Sequence, residues 1–117
     1  MNSQMPFDLE ERTALFGESI IKLCKTIKEN NITIPIVNQL IRSGTSVGAN
    51  YSEANNAESR SDFRHKIGIC KKEAKETIYW LRMLCTANIE NNDTIKPVWQ
   101  EAKELTLIFS KIFISSK

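Results

Sequence analysis

The sequence predicts an all-α protein, an antiparallel up-down-up-down four-helix bundle. Apolar residues recur at steps of three and four through most of the 117 residues, the period of a helix with one buried face. Only four glycines and three prolines interrupt the chain, and none falls where a β-hairpin needs a turn. Asparagine-rich breaks at Asn30-Asn31, Asn55-Asn56 and Asn91-Asn92-Asp93 leave four periodic stretches. Short connections between four helices favour antiparallel neighbours.

The first helix is expected over about 8–30, with Asp8 and Glu11 spaced like a capping box and Thr13, Phe16, Ile20, Leu23 and Ile27 on its inner face. The second spans about 34–57, opened by Thr33 and Pro35 and carrying Ile36, Leu40, Val47, Tyr51 and Ala54 inward. Ser59 with Asp62 caps the third, about 59–89, whose heptad-like stripe is Phe63, Ile67, Cys70, Ala74, Thr77, Leu81 and Leu84. Asn91-Asn92-Asp93 closes it, and the fourth, about 94–115, presents Val98, Ala102, Leu105, Phe109 and Ile112. No internal repeat, low-complexity tract or linker divides residues 1–117, so a single domain is expected.

The net charge of +2 supplies no strong global field, so a basic surface has to come from local arrangement. No apolar run approaches the roughly 20 residues that span a bilayer, and MNSQMPFDLEERT reads as neither signal peptide nor anchor. Cys24, Cys70 and Cys85 are odd in number and lack a C-x-x-C pair, which fits reduced thiols in a cytoplasmic protein.

Gly44-Thr45-Ser46-Val47-Gly48 spells G-x-S-x-G, the letters of a hydrolase nucleophile elbow. An elbow needs a strand before the serine and a strained turn at it; here Ile36, Leu40 and Val47 put Ser46 inside a helical pattern. His65 is the only histidine available for a triad. The bland alternative is packing. Each glycine within a helix costs roughly 1 kcal/mol against alanine, and Ser43 to Ala49 makes a nearly bulk-free stretch where a backbone or a large ring, with Trp80, Tyr79 and Phe16 as candidates, can approach. Packing is the preferred reading, and no enzyme activity is expected.

At about 100° per residue, Arg42, Ser46, Asn50 and Glu53 share a flank of the second helix. One flank of the third carries Asp62, Lys66, Ile69, Glu73, Glu76 and Trp80. These face each other either as a half-buried ion network at a packing or subunit contact, or as solvated helix-spaced pairs. The network is favoured because small residues face Ile69 and Trp80. Bundle metal sites draw Glu-x-x-His from two helices, so with one histidine Glu73 and Glu76 are expected to hold no metal, and no cofactor is expected.

The other flank of the third helix carries Arg60, Arg64, Lys71, Lys75 and Arg82 with no acid among them, over about 33 Å. Such a stripe suits a phosphate backbone recognised by charge, and its plain alternative is a solvated basic streak. In the fourth helix, Leu105, Leu107, Ile108, Phe109, Ile112, Phe113 and Ile114 cover more than one face, a surplus that points to self-association or to extra core contacts.

The stretch RSGTSVGANYSEANNAESRSDFRHKIGICKKEAKETIYWLRML, with DLEERTALF upstream, resembles the bacterial four-helix bundle family named for proteins encoded in intervening sequences of 23S ribosomal RNA. The likeness covers roughly residues 8–85; the fourth helix fits in character. The resemblance implies a ring-forming homo-oligomer, with five subunits expected, associated with RNA or another nucleic acid and without enzymatic activity. A distantly similar protein is the basic ring-forming accessory subunit that works with a reverse transcriptase in diversity-generating retroelements.

Family positions carried over are Arg42, Ser43, Gly44, Thr45, Asn50, Tyr51, Glu53, Asp62, Phe63, Lys66, Lys72, Glu73, Glu76, Tyr79, Trp80 and Arg82, mostly as fold or assembly determinants. The expected packing and assembly set is Arg42, Gly44, Ser46, Gly48, Asn50, Tyr51, Glu53, Asp62, Lys66, Glu73, Glu76 and Trp80. Ser52 stands where an arginine is common, and Arg64 and Lys71 where the family is more often apolar. The expected function is a non-enzymatic homo-oligomer that binds structured RNA or DNA through charge. The alternative is a scaffold for another protein, such as a polymerase or a co-encoded partner.

Overall fold

The computed structural model describes residues 8–117, so the sequence-based reading of the polar N-terminus lies outside it for residues 1–7. Four helices follow in order: α1 Leu9–Lys25, α2 Thr33–Asn55, α3 Arg60–Ala87 and α4 Asn92–Ser115, with a 3-10 turn over Ile89–Asn91 before the last.

Asp8 opens α1 by accepting from the Glu11 N–H at 3.2 Å, while Glu10 and Glu11 in the first turn and Lys22 and Lys25 in the last complement the helix dipole. The helix ends at Lys25, not at Asn30-Asn31 as the apolar period suggests. Thr26 turns its N–H and its hydroxyl to the Leu23 carbonyl (3.0 and 2.7 Å), tightening the last turn into a stop. Ile27 stays buried beyond that stop, so its period reported burial rather than helix.

Asn30 begins the next helix instead. Its side-chain oxygen accepts from the N–H groups of Ile32 and Thr33 at 2.9 Å, and Thr33 Oγ1 accepts from the Asn30 N–H at 3.0 Å. This reciprocal arrangement is a capping box. Ser59 caps α3 by accepting from the Asp62 N–H at 3.0 Å, as the sequence leads one to expect. At the far end α3 stops at Ala87, ahead of the expected terminator, and Asn92 and Asp93 belong to the first turn of α4.

The side-chain pairings fix the directions. Glu10, early in α1, meets Asn55 at the end of α2, and Glu53, late in α2, meets Lys66 early in α3. Arg64 of α3 meets Phe113 late in α4, and Arg12 of α1 meets Glu101 and Glu104 of α4. Among the described residues the helix backbones approach between α1 and α2, α2 and α3, α3 and α4, and over the shortest stretch between α1 and α4. Diagonal helices meet through side chains, as where the Tyr51 and Phe109 rings lie 5.9 Å apart. The result is an all-α, antiparallel four-helix bundle. Its interior holds Phe16, Ile20, Leu40, Ile67, Leu81 and Phe109.

The thin α1–α4 seam is fastened by charge. Arg12 makes two parallel bonds to Glu101, 2.7 and 2.8 Å, and a third to Glu104 at 2.9 Å. Bidentate geometry of this kind is the strong form of an ion pair, and the carboxylates push the Arg12 pKa up. Among the described residues no helix is long and apolar enough to cross a membrane.

Candidate nucleic-acid interface

The glycine-rich stretch lies wholly within α2, and no residue there has a positive φ. Ser46 donates to the Arg42 carbonyl at 2.6 Å, an ordinary helix back-bond. A Cβ on Gly44 would meet Ile20 Cγ1 at 2.7 Å, and one on Gly48 would meet the Thr13 carbonyl oxygen at 3.2 Å. From the other side, Gly17 lies against Thr45, where a Cβ would sit 3.6 Å from the Thr45 Cα. The closest approach at these glycines is therefore α1, through Ile20 and the Thr13 backbone, the neighbouring-backbone alternative rather than a large ring. The two helices come close because Gly44 and Gly48 make room for Ile20 and Thr13, and Gly17 makes room for Thr45.

Across the α2–α3 seam the ionic residues do pair. Arg42 contacts both Glu73 (3.2 Å) and Glu76, and the Trp80 indole N–H donates to Glu76 at 3.0 Å. Lys66 reaches Glu53 at 2.6 Å. The Trp80 N–H first, and then the Arg42 guanidinium, hold the Glu76 carboxyl below its usual range, while Glu76 pushes Arg42 up and Glu53 pushes Lys66 up. Arg42 and Glu53 remain well exposed while Glu73, Glu76 and Lys66 are half-buried, so within one chain this is a half-buried network tying two helices together. Asp62 takes no part in it and sits in the first turn of α3; Asn50 donates to the Ser46 carbonyl, and Tyr51 faces Phe109.

The basic flank of α3 runs along its seam with α4 and divides in two. Arg64 and Lys71 are half-buried fasteners: the Arg64 guanidinium stacks 3.8 Å from the Phe113 ring centroid and donates to the Phe113 carbonyl at 3.2 Å, with Lys71 Nζ 6.0 Å from the same ring. Arg60, Lys75 and Arg82 are exposed, and Arg60 donates to the Lys117 backbone oxygen at 3.4 Å. From α4, Lys96 shares a cleft with Arg82, and Lys103 lies 4.4 Å over the ring of Trp99. Glu101 and Glu104 of α4 are turned the other way, to Arg12. Reading α3 alone missed Lys96 and Lys103. Their seven-residue spacing about Trp99 is the signal that places them together on one helix face.

Part of the apolar surplus of α4 is absorbed at home. Leu105 and Phe109 are buried, and Ile108, Ile112 and Phe113 pack on the core, whereas Leu107 and Ile114 remain 63% and 66% exposed. On α3, Tyr79 is exposed and Ile69, Trp80 and Met83 are half-buried. Cys24 and Cys70 are buried and their thiols are pushed up to about 11 and about 12 by loss of solvent, while Cys85 is half-exposed. Among the described residues no group of three or more His, Cys, Asp or Glu side chains is placed to hold a metal ion.

The profile of the 23S rRNA-intervening sequence protein family matches residues 7–111. The chain belongs to that family. The match takes in nearly all of α4, beyond the stretch where motif letters alone carry the likeness. A crystal structure of a Bacteroides thetaiotaomicron protein, described as of unknown function and from the S23 ribosomal protein family, has the same architecture. It is 32% identical with a TM-score of 0.79, covering 89% of this chain and 96% of the other. No curated protein matches. Among the family positions, Ser43, Gly44, Thr45 and Tyr51 serve contacts inside the bundle in this member, and Arg42, Glu53, Lys66, Glu73, Glu76 and Trp80 serve the α2–α3 lattice.

Proposed function

We propose that this member of the 23S rRNA-intervening sequence protein family is a non-enzymatic, cytoplasmic homo-oligomer that associates with structured RNA by charge. The observation that carries the reading is the α3–α4 face, where Arg60, Lys75, Arg82, Lys96 and Lys103 are exposed while two of the three α4 carboxylates, Glu101 and Glu104, are engaged by Arg12 and the third, Asp93, lies in the first turn. Such a face neutralises phosphates and displaces their counterions without reading bases. The family and the S23 relative are both named for ribosomal contexts, which favours RNA over DNA. A ring of subunits, five being the number the resemblance implies, has exposed Leu107 and Ile114 as its apolar contacts.

The same two side chains favour a second reading, in which the bundle is a scaffold for another protein, such as a polymerase or co-encoded partner. Light scattering with and without a mixed RNA pool, at low and high salt, separates the two. RNA uptake at low salt and release at high salt supports the first; an oligomer indifferent to RNA supports the second. Arg60→Gln with Lys75→Gln is the informative variant, because Arg64 and Lys71 also hold α4 in place. It should make the dependence of log affinity on log salt shallower by about two units while leaving the mass unchanged.

A further inference from the structure

At the end of the basic face, where α3 gives way to α4, the two helices leave a cleft of about 560 Å³ between them. That is within the roughly 300–1,000 Å³ range of small-molecule sites. Two facing stripes build it. Ile78, Arg82 and Cys85 follow one another at helical spacing on α3, and Asn92, Lys96 and Trp99 do so on α4, with Ile95 beside them. Its walls are mostly apolar, Trp99 gives it an aromatic side, and two cations line it with no carboxylate among the lining groups. A third cation, Lys103, sits on the Trp99 ring just outside. A flat apolar body with an attached anion is the chemistry that answers this combination.

We propose that the cleft seats a single nucleotide unit, its base against Trp99 and the apolar walls and its phosphate held by Arg82 and Lys96. Two sources share that chemistry: a free mononucleotide, or one unstacked nucleotide of an RNA strand lying along the basic face. The second source rests on the reading proposed above, and the first does not. Stacking on an aromatic side chain tolerates any base, so the seat adds affinity for unpaired nucleotides without conferring sequence preference.

Cys85 supplies a reporter, since it lines the cleft while Cys24 and Cys70 are buried and react later with a thiol reagent. The experiment measures Cys85 alkylation in the full chain with nucleoside monophosphates, with octanoate, and with a short single-stranded RNA and an abasic strand of equal length. Mononucleotides should slow alkylation, and the RNA should bind about tenfold tighter than the abasic strand. Trp99→Leu should abolish that advantage while the salt-dependent binding of the abasic strand persists. Arg82→Gln with Lys96→Gln, both at exposed positions, should weaken mononucleotide protection and serves as the test if Trp99→Leu fails to fold.

Equal binding of the two strands with no protection by mononucleotides overturns the seat and leaves charge-based RNA binding standing. Protection by mononucleotides with no binding of either strand upholds the seat for free nucleotides and removes the RNA reading. Protection by octanoate alone, or binding of nothing, overturns the seat.

Discussion

Thr77 of α3 and Ser43 of α2 bring their hydroxyls to 2.9 Å of each other in the middle of the bundle, both with no exposed surface. The single Thr77 hydroxyl proton is shared between Ser43 Oγ and the Glu73 carbonyl at 2.8 Å, and Ser43 donates over 3.4 Å to the Leu40 carbonyl, so neither polar group is orphaned. Buried polar groups are tolerated only when partnered, and this pair fixes the register of α2 on α3 where the apolar stripes alone leave it free.

Thr77→Val keeps the side-chain shape and removes the hydroxyl, so it should cost about 1–3 kcal/mol by leaving Ser43 with only its long contact to Leu40. Adding Ser43→Ala should cost much less than it does alone, because nothing buried is then left unpaired. Urea denaturation of the two single variants and the double variant checks this. Strictly additive losses would mean that the two hydroxyls are not coupled.

Gly44 and Gly17 lie at the same α1–α2 crossing and should respond in opposite directions. Gly44→Ala drives a methyl into Ile20 near its branch point, and overpacking of about 1–3 kcal/mol outweighs the helix propensity gained. Gly17→Ala meets Thr45 only at ordinary contact distance and should stabilise by up to about 1 kcal/mol. Thermal midpoints measure both. Shifts of the same sign would contradict the crossing described here.

Glu76 is held below its usual range first by the Trp80 N–H and then by Arg42. A carboxyl whose pKa is lower folded than unfolded stabilises fully above the unfolded value, near 4.3, and loses that contribution as pH falls through the folded one. Because the pair is partly exposed, Glu76→Gln should cost at most about 1 kcal/mol at neutral pH. The difference from wild type should shrink as pH falls below about 4. Trp80→Phe should move the Glu76 titration upward in a carboxyl-resolved NMR experiment, and an unmoved titration would refute the assigned cause.

Helix number, inner faces and the Ser59 start of α3 were legible in the sequence because they depend on local physics. A 3.6-residue period repeats the core face within one helix, and an N-cap acts across three residues. The same locality misled at Ile27, where a residue in period with α1 is buried from a turn. It misled again at Asn30, whose cap bonds made it a beginning rather than an end.

Of the candidate interface, the α3 cations were visible as a stripe, but which of them are free was not. Arg64 is held by Phe113 and Arg82 is joined by Lys96, and both pairings depend on how α3 and α4 cross. Likewise the sequence marked Gly44 and Gly48 as a place where something comes close, and only the α1–α2 crossing decided that it is Ile20 and Thr13. A single helix determines which of its residues share a face. What that face meets is set by side-chain packing between segments far apart in the chain, whose register no local period encodes.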